Sequence, residues 1–406
     1  MNDGWRHSTW GDEISLEYGK AIRGYRDAVA PFRVFGSNGP IGWTDEALAD
    51  GPGVILGRKG AYRGVHFSRD PFFVIDTAYY VKPKSDLDMR WLYYAIIHHK
   101  LGEIDDGSPI PSTTRAAVYV RNIDVPPLPE QRAIAATLGA LDDKIELNRK
   151  MNATLEAMAR ALFRDWFVDF GPTHAKIAGL DPYLSPDLWS LFPDRLDDEA
   201  KPEGWEVFRL EQIAEHNKQT ISPSSFPDRL FEHFSLPAFD KGQSPALDHG
   251  ETIKSNKTLV PPDAVMLSKL NPEIRRVWLP EASADHPQIA STEFLAFTGK
   301  KGIPRSLLFC LFNGDRFREM LQSMVTGTSK SHQRISPPDL MRREVLVGHP
   351  NIFTQFETTV APLLHRALAN RSETRALAQT RDLLLPRLMS GELRVAEAER
   401  LASEVA

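Results

Sequence analysis

Cysteine is almost absent from this chain: Cys310 is the only one in 406 residues. Disulfides and cysteine-ligated zinc within the chain are thereby excluded. Its place in the apolar run LLFCLF makes Cys310 a packed core residue. Long hydrophobic runs are missing too, none approaching the roughly 20 residues that cross a bilayer. The N-terminal MNDGWRHSTWGDE lacks the basic-then-apolar form of a signal peptide. A cytoplasmic protein with no membrane partner is expected.

Catalytic motifs are equally scarce. Gly57-Arg58-Lys59-Gly60 is not followed by the Gly-Lys-Ser/Thr of a phosphate loop. Asn271-Pro272-Glu273 looks superficially like the tetrapeptide of amino-methyltransferases. It lacks the second proline and the aromatic that would stack on a flipped base, and no methyl-donor loop accompanies it. His98 and His99 are adjacent on an expected helix and so point to different faces, with no carboxylate placed to complete a metal site. Neither a catalytic residue nor a metal ligand is expected.

What is present is periodicity. From Leu128 to Phe170, just inside a proline cluster, Ile134, Leu138, Leu141, Ile145, Asn148, Asn152, Leu155, Ala159, Leu162 and Trp166 alternate in steps of four and three, the spacing of a coiled-coil seam. Between Pro350 and Ser390-Gly391, the residues Phe356, Val360, Leu363, Ala367, Asn370, Thr374, Leu377, Arg381, Leu384 and Leu388 repeat that alternation. An antiparallel pairing sets Asn152 against Asn370, Asn148 against Thr374 and Trp166 against Phe356. Polar seam residues lower stability but disfavour slipped alignments, so Asn148, Asn152, Asn370 and Thr374 are expected to set the register. About 40 residues at 1.5 Å each make a rod of roughly 60 Å.

The remainder is duplicated. Gly204-Trp205 parallels Gly4-Trp5, VMLSKLNPEIRRVWL parallels VILGRKGAYRGVHF, IASTEFLAF parallels VIDTAYYV, and VTGTSKSHQRISPPDL parallels DDGSPIPSTTRAAVYV. The chain therefore reads as a globular segment 1–127, a long helix 128–171, a proline- and acid-rich crossing linker 172–203, a second globular segment 204–348, a second long helix 349–394 and a tail 395–406. Each globular copy is expected to be an α/β or α+β domain with a twisted sheet and helices, the two separated by an antiparallel two-helix coiled coil.

The formal net charge of −5 is not evenly spread. Residues 181–240 hold 13 acidic and 5 basic side chains, whereas 251–344 hold 10 acidic and 14 basic, so a basic face remains open. In both copies small hydroxyls, glycines, amides and cations gather at strand ends and loop tips. Candidate DNA-binding residues in the first copy are Tyr18, Lys20, Ser37, Asn38, Arg58, Lys59, Tyr62, Arg63, Thr113 and Arg115. In the second they are Lys254, Ser255, Lys257, Ser268, Lys269, Asn271, Arg275, Arg276, Thr328, Ser329, Lys330, His332, Gln333 and Arg334. Hydroxyls and glycine-freed amides suit phosphate oxygens, and Arg, Lys, Asn and Gln pair with base edges. Recurrence at matching places points the set to double-stranded DNA.

At these residues the chain resembles the specificity subunit of Type I restriction-modification systems. PPLPEQRAIAATLGALDDKIELNRKMNATLEAMARALFRDWFVDF is similar to the family's central conserved region and LAQTRDLLLPRLMSGELRV to its distal one. The duplicated loop and strand segments are similar to target recognition domain signatures. The resemblance implies a non-catalytic subunit whose two target recognition domains each hold half of a bipartite DNA site. The rods would set the gap and dock methyltransferase subunits, with restriction/translocase subunits completing the complex. S-adenosylmethionine, Mg2+ and ATP would be used by those partners, and none would be bound by this chain. Phe163, Trp166, Phe167 and Phe170 are too close together for one seam to bury, so they are expected as subunit-interface anchors. The alternative is a single-chain DNA methyltransferase or nuclease with its own active site.

Overall fold

The computed structural model describes residues 4–105, 107, 111–283, 285–325 and 333–403. The chain divides into two units, residues 1–146 with 373–406, and residues 147–372. In the first, strands Arg6–Thr9 and Asn122–Val125 pair antiparallel where the chain enters and leaves the globular segment. A four-stranded antiparallel sheet runs in the order Ile14–Tyr18, Ala78–Pro83, Gly53–Gly57, Val65–Ser68. A three-stranded sheet has Phe32–Gly36 at its centre, antiparallel to Gly39–Thr44 and parallel to Phe72–Val74.

Strand Gly53–Gly57 is buried along its whole length. Successive strand side chains point to opposite faces, so Val54 and Leu56 join the main core while Ile55 joins a smaller one with Phe35, Phe72 and Val74. Helix Met89–His98 closes the main core with Trp91, Leu92, Ala95 and Ile96. It begins at Asp88, whose carboxylate accepts from the Arg90 and Trp91 amides at 2.9 Å, satisfying two of the donors a helix start leaves orphaned.

The second unit repeats this order. Glu206–Arg209 pairs with Glu344–Val347. The four-stranded sheet is Ala214–Asn217, Phe294–Gly299, Val265–Ser268, Val277–Trp278. Leu230–Phe234 lies antiparallel to Ala246–His249 and parallel to Gln288–Ala290, and Lys257–Leu259 and Thr220–Ile221 extend that sheet to five strands. Val265 and Leu267 face one core and Met266 the other, as Val54, Leu56 and Ile55 do. Helix Arg305–Asn313 follows in the place of Met89–His98 and buries Cys310 completely.

Two 40-residue helices, Leu128–Phe167 and Pro350–Met389, contribute to both units. Within residues 147–372 they pack antiparallel: Asn370 Nδ2 donates to Asn152 Oδ1 at 2.9 Å, Asn148 Nδ2 reaches the Asn370 carbonyl at 3.5 Å, and Trp166 meets Phe356 at 5.6 Å between ring centroids. The Asn152/Asn370 layer expected from the seam is therefore present. Glu156 and Arg371 form an ion pair beside it. In the first unit Arg381 donates to Asp142 at 2.7 Å, and Tyr94 donates to the other Asp142 oxygen at 2.6 Å.

Three expectations need correction. The first long helix stops at Phe167 instead of Phe170. The Asp169 amide bonds back five residues to the Arg164 carbonyl, and Phe170 turns into the left-handed region at φ +50° to start helix Gly171–Ile177. The seam residue Leu363 is only half-buried, while Leu364 is 3% exposed, because this stretch also covers the domain core with Ile352, Phe353 and Leu368. Residues 172–203 do more than cross: Phe192 is buried with its ring 5.5 Å from Trp166. No helix of the described residues is long and apolar enough to cross a membrane.

Candidate nucleic-acid interface

In the first copy, four loops far apart in sequence meet at one end of the four-stranded sheet. The Arg58 and Lys59 amides donate to the Thr77 carbonyl at 3.0 and 3.2 Å, the Gly60 amide to Pro111, and the Thr113 amide to the Arg58 carbonyl at 2.9 Å. Ser37 Oγ donates to the Thr77 carbonyl, which ties the Ser37-Asn38-Gly39 turn to the same tip. Glycine is required twice. A Cβ on Gly57 would stand 2.4 Å from the Ser37 carbonyl oxygen, and Gly60 has φ +110°.

This skeleton recurs in the second copy. The Lys269 amide donates to the Glu293 carbonyl at 2.9 Å, the Asn271 amide to Gln333 at 2.8 Å, and the Ile335 amide to the Lys269 carbonyl at 3.0 Å. Gly57 and Ser268 sit opposite Ala78 and Phe294 in their sheets, and each donates its amide across the same hairpin, to Gly64 and Arg276 respectively. Asn271 takes the place of Gly60 at φ +50°, a conformation asparagine tolerates better than most residues. Thus Arg58-Lys59-Gly60 and Lys269-Leu270-Asn271 share the backbone hydrogen bonds at their first and third residues and bear different side chains.

Side-chain positions divide the candidates. Lys20, Asn38, Lys59 and Tyr62 are exposed, Tyr62 by 78%. Tyr18 is 46% exposed and stacks under Arg115, whose guanidinium carbon is 4.2 Å from the ring centroid, and near Arg58 at 5.0 Å. Arg63 instead faces inward, donating to the carbonyls of Gly60, Gly102 and Ile104 at 2.8–3.1 Å. Thr113 is fully buried and caps the Leu101 and Ile104 carbonyls. Those two hold the tip in place and present nothing to a ligand.

The second copy departs further. Arg276 is 9% exposed and locked by Nε and Nη2 onto the two Asp240 oxygens at 2.7 and 2.8 Å. Arg275 pairs with Asp315 at 2.6 Å. Lys257 is buried against Ser255, and burial pulls its pKa down. Ser268 is buried and donates to the Leu270 carbonyl. The structure thus engages these four side chains within the domain and does not gather them as free groups at the tip; composition shows the cations of Arg275 and Arg276 but not the carboxylates that fold onto them. Lys254 and Ser255 are exposed, but near the end of the five-stranded sheet and not on the Lys269 tip. Arg334, at the tip, holds Glu293 by a two-pronged contact at 3.0 and 3.2 Å, and Gln333 is half-buried beside it. Thr328, Ser329, Lys330 and His332 lie outside the described residues.

Sequence reasoning passed over Tyr79, Thr77 and Glu293. Tyr79 packs beside Tyr18, 5.1 Å between centroids, and burial foremost pushes its hydroxyl up to about 12. Its signal was the Tyr79-Tyr80 pair at the start of strand Ala78–Pro83.

The four aromatics assigned to a subunit interface are inside the second unit instead. Phe163, Trp166 and Phe167 are 7%, 1% and 6% exposed. Phe167 meets Phe356 at 5.2 Å and Trp205 at 5.7 Å, and the half-buried Phe170 meets Trp205 at 5.6 Å. The seam cannot bury four neighbouring aromatics, but a domain packed on its flank can.

A Type I restriction modification DNA specificity domain model matches residues 33–157. The specificity subunit of the Type I restriction enzyme MjaIX of Methanocaldococcus jannaschii is 27% identical over 368 residues, 85% of this chain and 78% of that one. That of the HindI enzyme of Haemophilus influenzae is 24% identical over 387 residues, 82% of this chain and 84% of that one. The chain is thus similar to Type I specificity subunits over most of its length. Its fold is also that of the Type I restriction-modification S subunit of M. genitalium, with a TM-score of 0.58, 16% identity and coverage of 96% of this chain and 97% of that one. The matched specificity-domain model spans the first tip's Arg58 and most of the first long helix.

Proposed function

We propose that the chain is the non-catalytic, DNA-sequence-reading subunit of a Type I restriction-modification complex in the cytoplasm, each globular copy taking one half of a bipartite double-stranded site. The observation that carries this reading is the shared tip skeleton with different side chains. Backbone contacts give a protein its register on DNA, and side chains at base edges give sequence. A common frame bearing Asn38, Lys59 and Tyr62 in one copy, and Asn271 and Gln333 in the other, suits two half-sites of unlike sequence.

The antiparallel long helices set the unread gap and offer a docking surface to methyltransferase subunits. Restriction/translocase subunits complete the assembly, and S-adenosylmethionine, Mg2+ and ATP serve those partners. The test is to express the chain with methyltransferase subunits in a host lacking other methylation and to map the modified positions. Two half-sites at constant spacing are expected, and Lys59→Ala alters base preference in one half only. Methylation without constant spacing refutes the reading. Methyl transfer or cleavage by the purified chain alone would favour the single-chain enzyme.

A further inference from the structure

Resting on the DNA reading above, we propose that each copy carries a built seat for one backbone phosphate, formed by two neighbouring cations at the root of its tip. The pair is Arg58 with Arg115 in the first copy and Lys269 with Lys218 in the second.

In the first copy both guanidinium groups crowd the same two rings. Arg58 lies 5.0 Å from the Tyr18 centroid and 5.8 Å from that of Tyr79; Arg115 lies 4.2 and 5.9 Å from them. Like charges held this close repel, and local compensation is thin. Glu17 stands 3.8 Å from Arg115, and Arg58 has no carboxylate partner among the described residues. The Nε of each arginine is enclosed and has no acceptor there. An enclosed donor without an acceptor costs about 1–3 kcal/mol, and two at one place call for a missing acceptor. A phosphate oxygen accepts from such donors and neutralises the charge, and guanidinium suits phosphate in geometry. The half-exposed Tyr18 ring leaves the place open to solvent.

The second copy reaches a similar arrangement with other residues. Tyr18 is opposite Tyr79, and Asn217 is opposite Ala296 one pair earlier, so Lys218 occupies the place of Tyr18. Lys269 takes the place of Arg58. The counterpart of Arg115 is Pro337, since Thr114 and Ser336 stand alike at the starts of helices Arg115–Tyr119 and Pro337–Met341. The second cation has thus moved from a helix start to a strand end. Lys218 and Lys269 both lie near His216, whose pKa is lowered by burial first and then by these two charges. Neither lysine has an ion-pair partner among the described residues. Tyr18, Arg58 and Arg115 all have different counterparts, yet two cations persist at the tip's root. The shared requirement is positive charge for a common DNA feature, whereas a base contact would follow the half-site.

The test uses the full chain, duplex DNA of cognate and random sequence, and a salt titration. Arg58→Gln/Arg115→Gln and Lys218→Gln/Lys269→Gln are each expected to flatten the slope of log K against log salt by about 0.9, and by about 1.8 combined. Affinity falls by the same factor on both DNAs, base preference in both half-sites is kept, and Arg58→Lys/Arg115→Lys retains the slope. Thermal melting checks that each variant is folded. An unchanged slope in folded variants, or a loss confined to particular base pairs, overturns the seat while leaving the DNA reading intact. If the wild-type chain, alone and with methyltransferase subunits, shows no DNA binding, the DNA reading falls and the seat falls with it.

Discussion

Replacing Asn370 tests how the long helices are aligned. Asn370 is 1% exposed, donates to Asn152 at 2.9 Å, and has its own side-chain oxygen enclosed without a donor. Asn370→Ala removes the donor and strands the Asn152 oxygen, at a cost of about 1–3 kcal/mol. Asn152→Ala strands the Asn370 amide at a similar cost. Replacing both with Leu removes donor and acceptor together, so Asn152→Leu/Asn370→Leu is expected to match or exceed wild type in stability. The selectivity for one alignment is what it loses, because an all-apolar seam no longer penalises a slip. Hydrogen exchange of the amides from Arg149 to Ala159 reads local stability, and a disulfide engineered across the native layer reads alignment by its yield. If the double-Leu variant loses as much stability as the two alanine variants summed, the asparagine pair is a net stabiliser and the argument fails.

Other perturbations follow from the packing. Phe167→Ala is expected to cost about 3–5 kcal/mol of folding stability, read by denaturant unfolding, because the ring is enclosed by Phe356, Phe353 and Trp205; a folded variant of wild-type stability would return it to the surface. Gly139→Ala should destabilise the first unit, since a Cβ there would stand 2.6 Å from the Arg90 guanidinium that donates to the Gly139 carbonyl and to Asp143. A loss of roughly 1–3 kcal/mol is expected, and an unchanged melting temperature contradicts it. Glu13 is held down to about 2 by its bond to Arg6, opposed by burial and aided by Ser8 and Ser85. A depressed carboxylate stabilises above its unfolded pKa and is lost on acidification. Stability of the first unit should therefore decline from about pH 4.5 toward 2, and Glu13→Gln should remove that part of the decline in an acid titration.

The long helices were legible because coiled-coil spacing survives as a pattern of single letters, and the Asn152/Asn370 layer because pairing one register fixes every other. The duplication was legible for the same kind of reason: ILGRKGAYRGV and LSKLNPEIRRVWL match in order even where they differ in residue. Failures occurred where a side chain's partner is remote in sequence. Arg276 finds Asp240 and Arg63 finds Gly102, and neither partner leaves a mark near the arginine.

The sequence by itself determined two alternating seams, two copies of one strand order and the absence of cysteine chemistry, since each is a property of local spacing or composition. Only the tertiary structure decided which cations are left over. Whether an arginine is neutralised depends on which carboxylate the fold carries to it, so Arg276 closed inward on Asp240, while Arg58, without a carboxylate partner among the described residues, and Arg115, with Glu17 at 3.8 Å, stand together on the tyrosines. The same holds for the aromatic cluster at Phe167, buried by a domain that spacing along one helix cannot reveal.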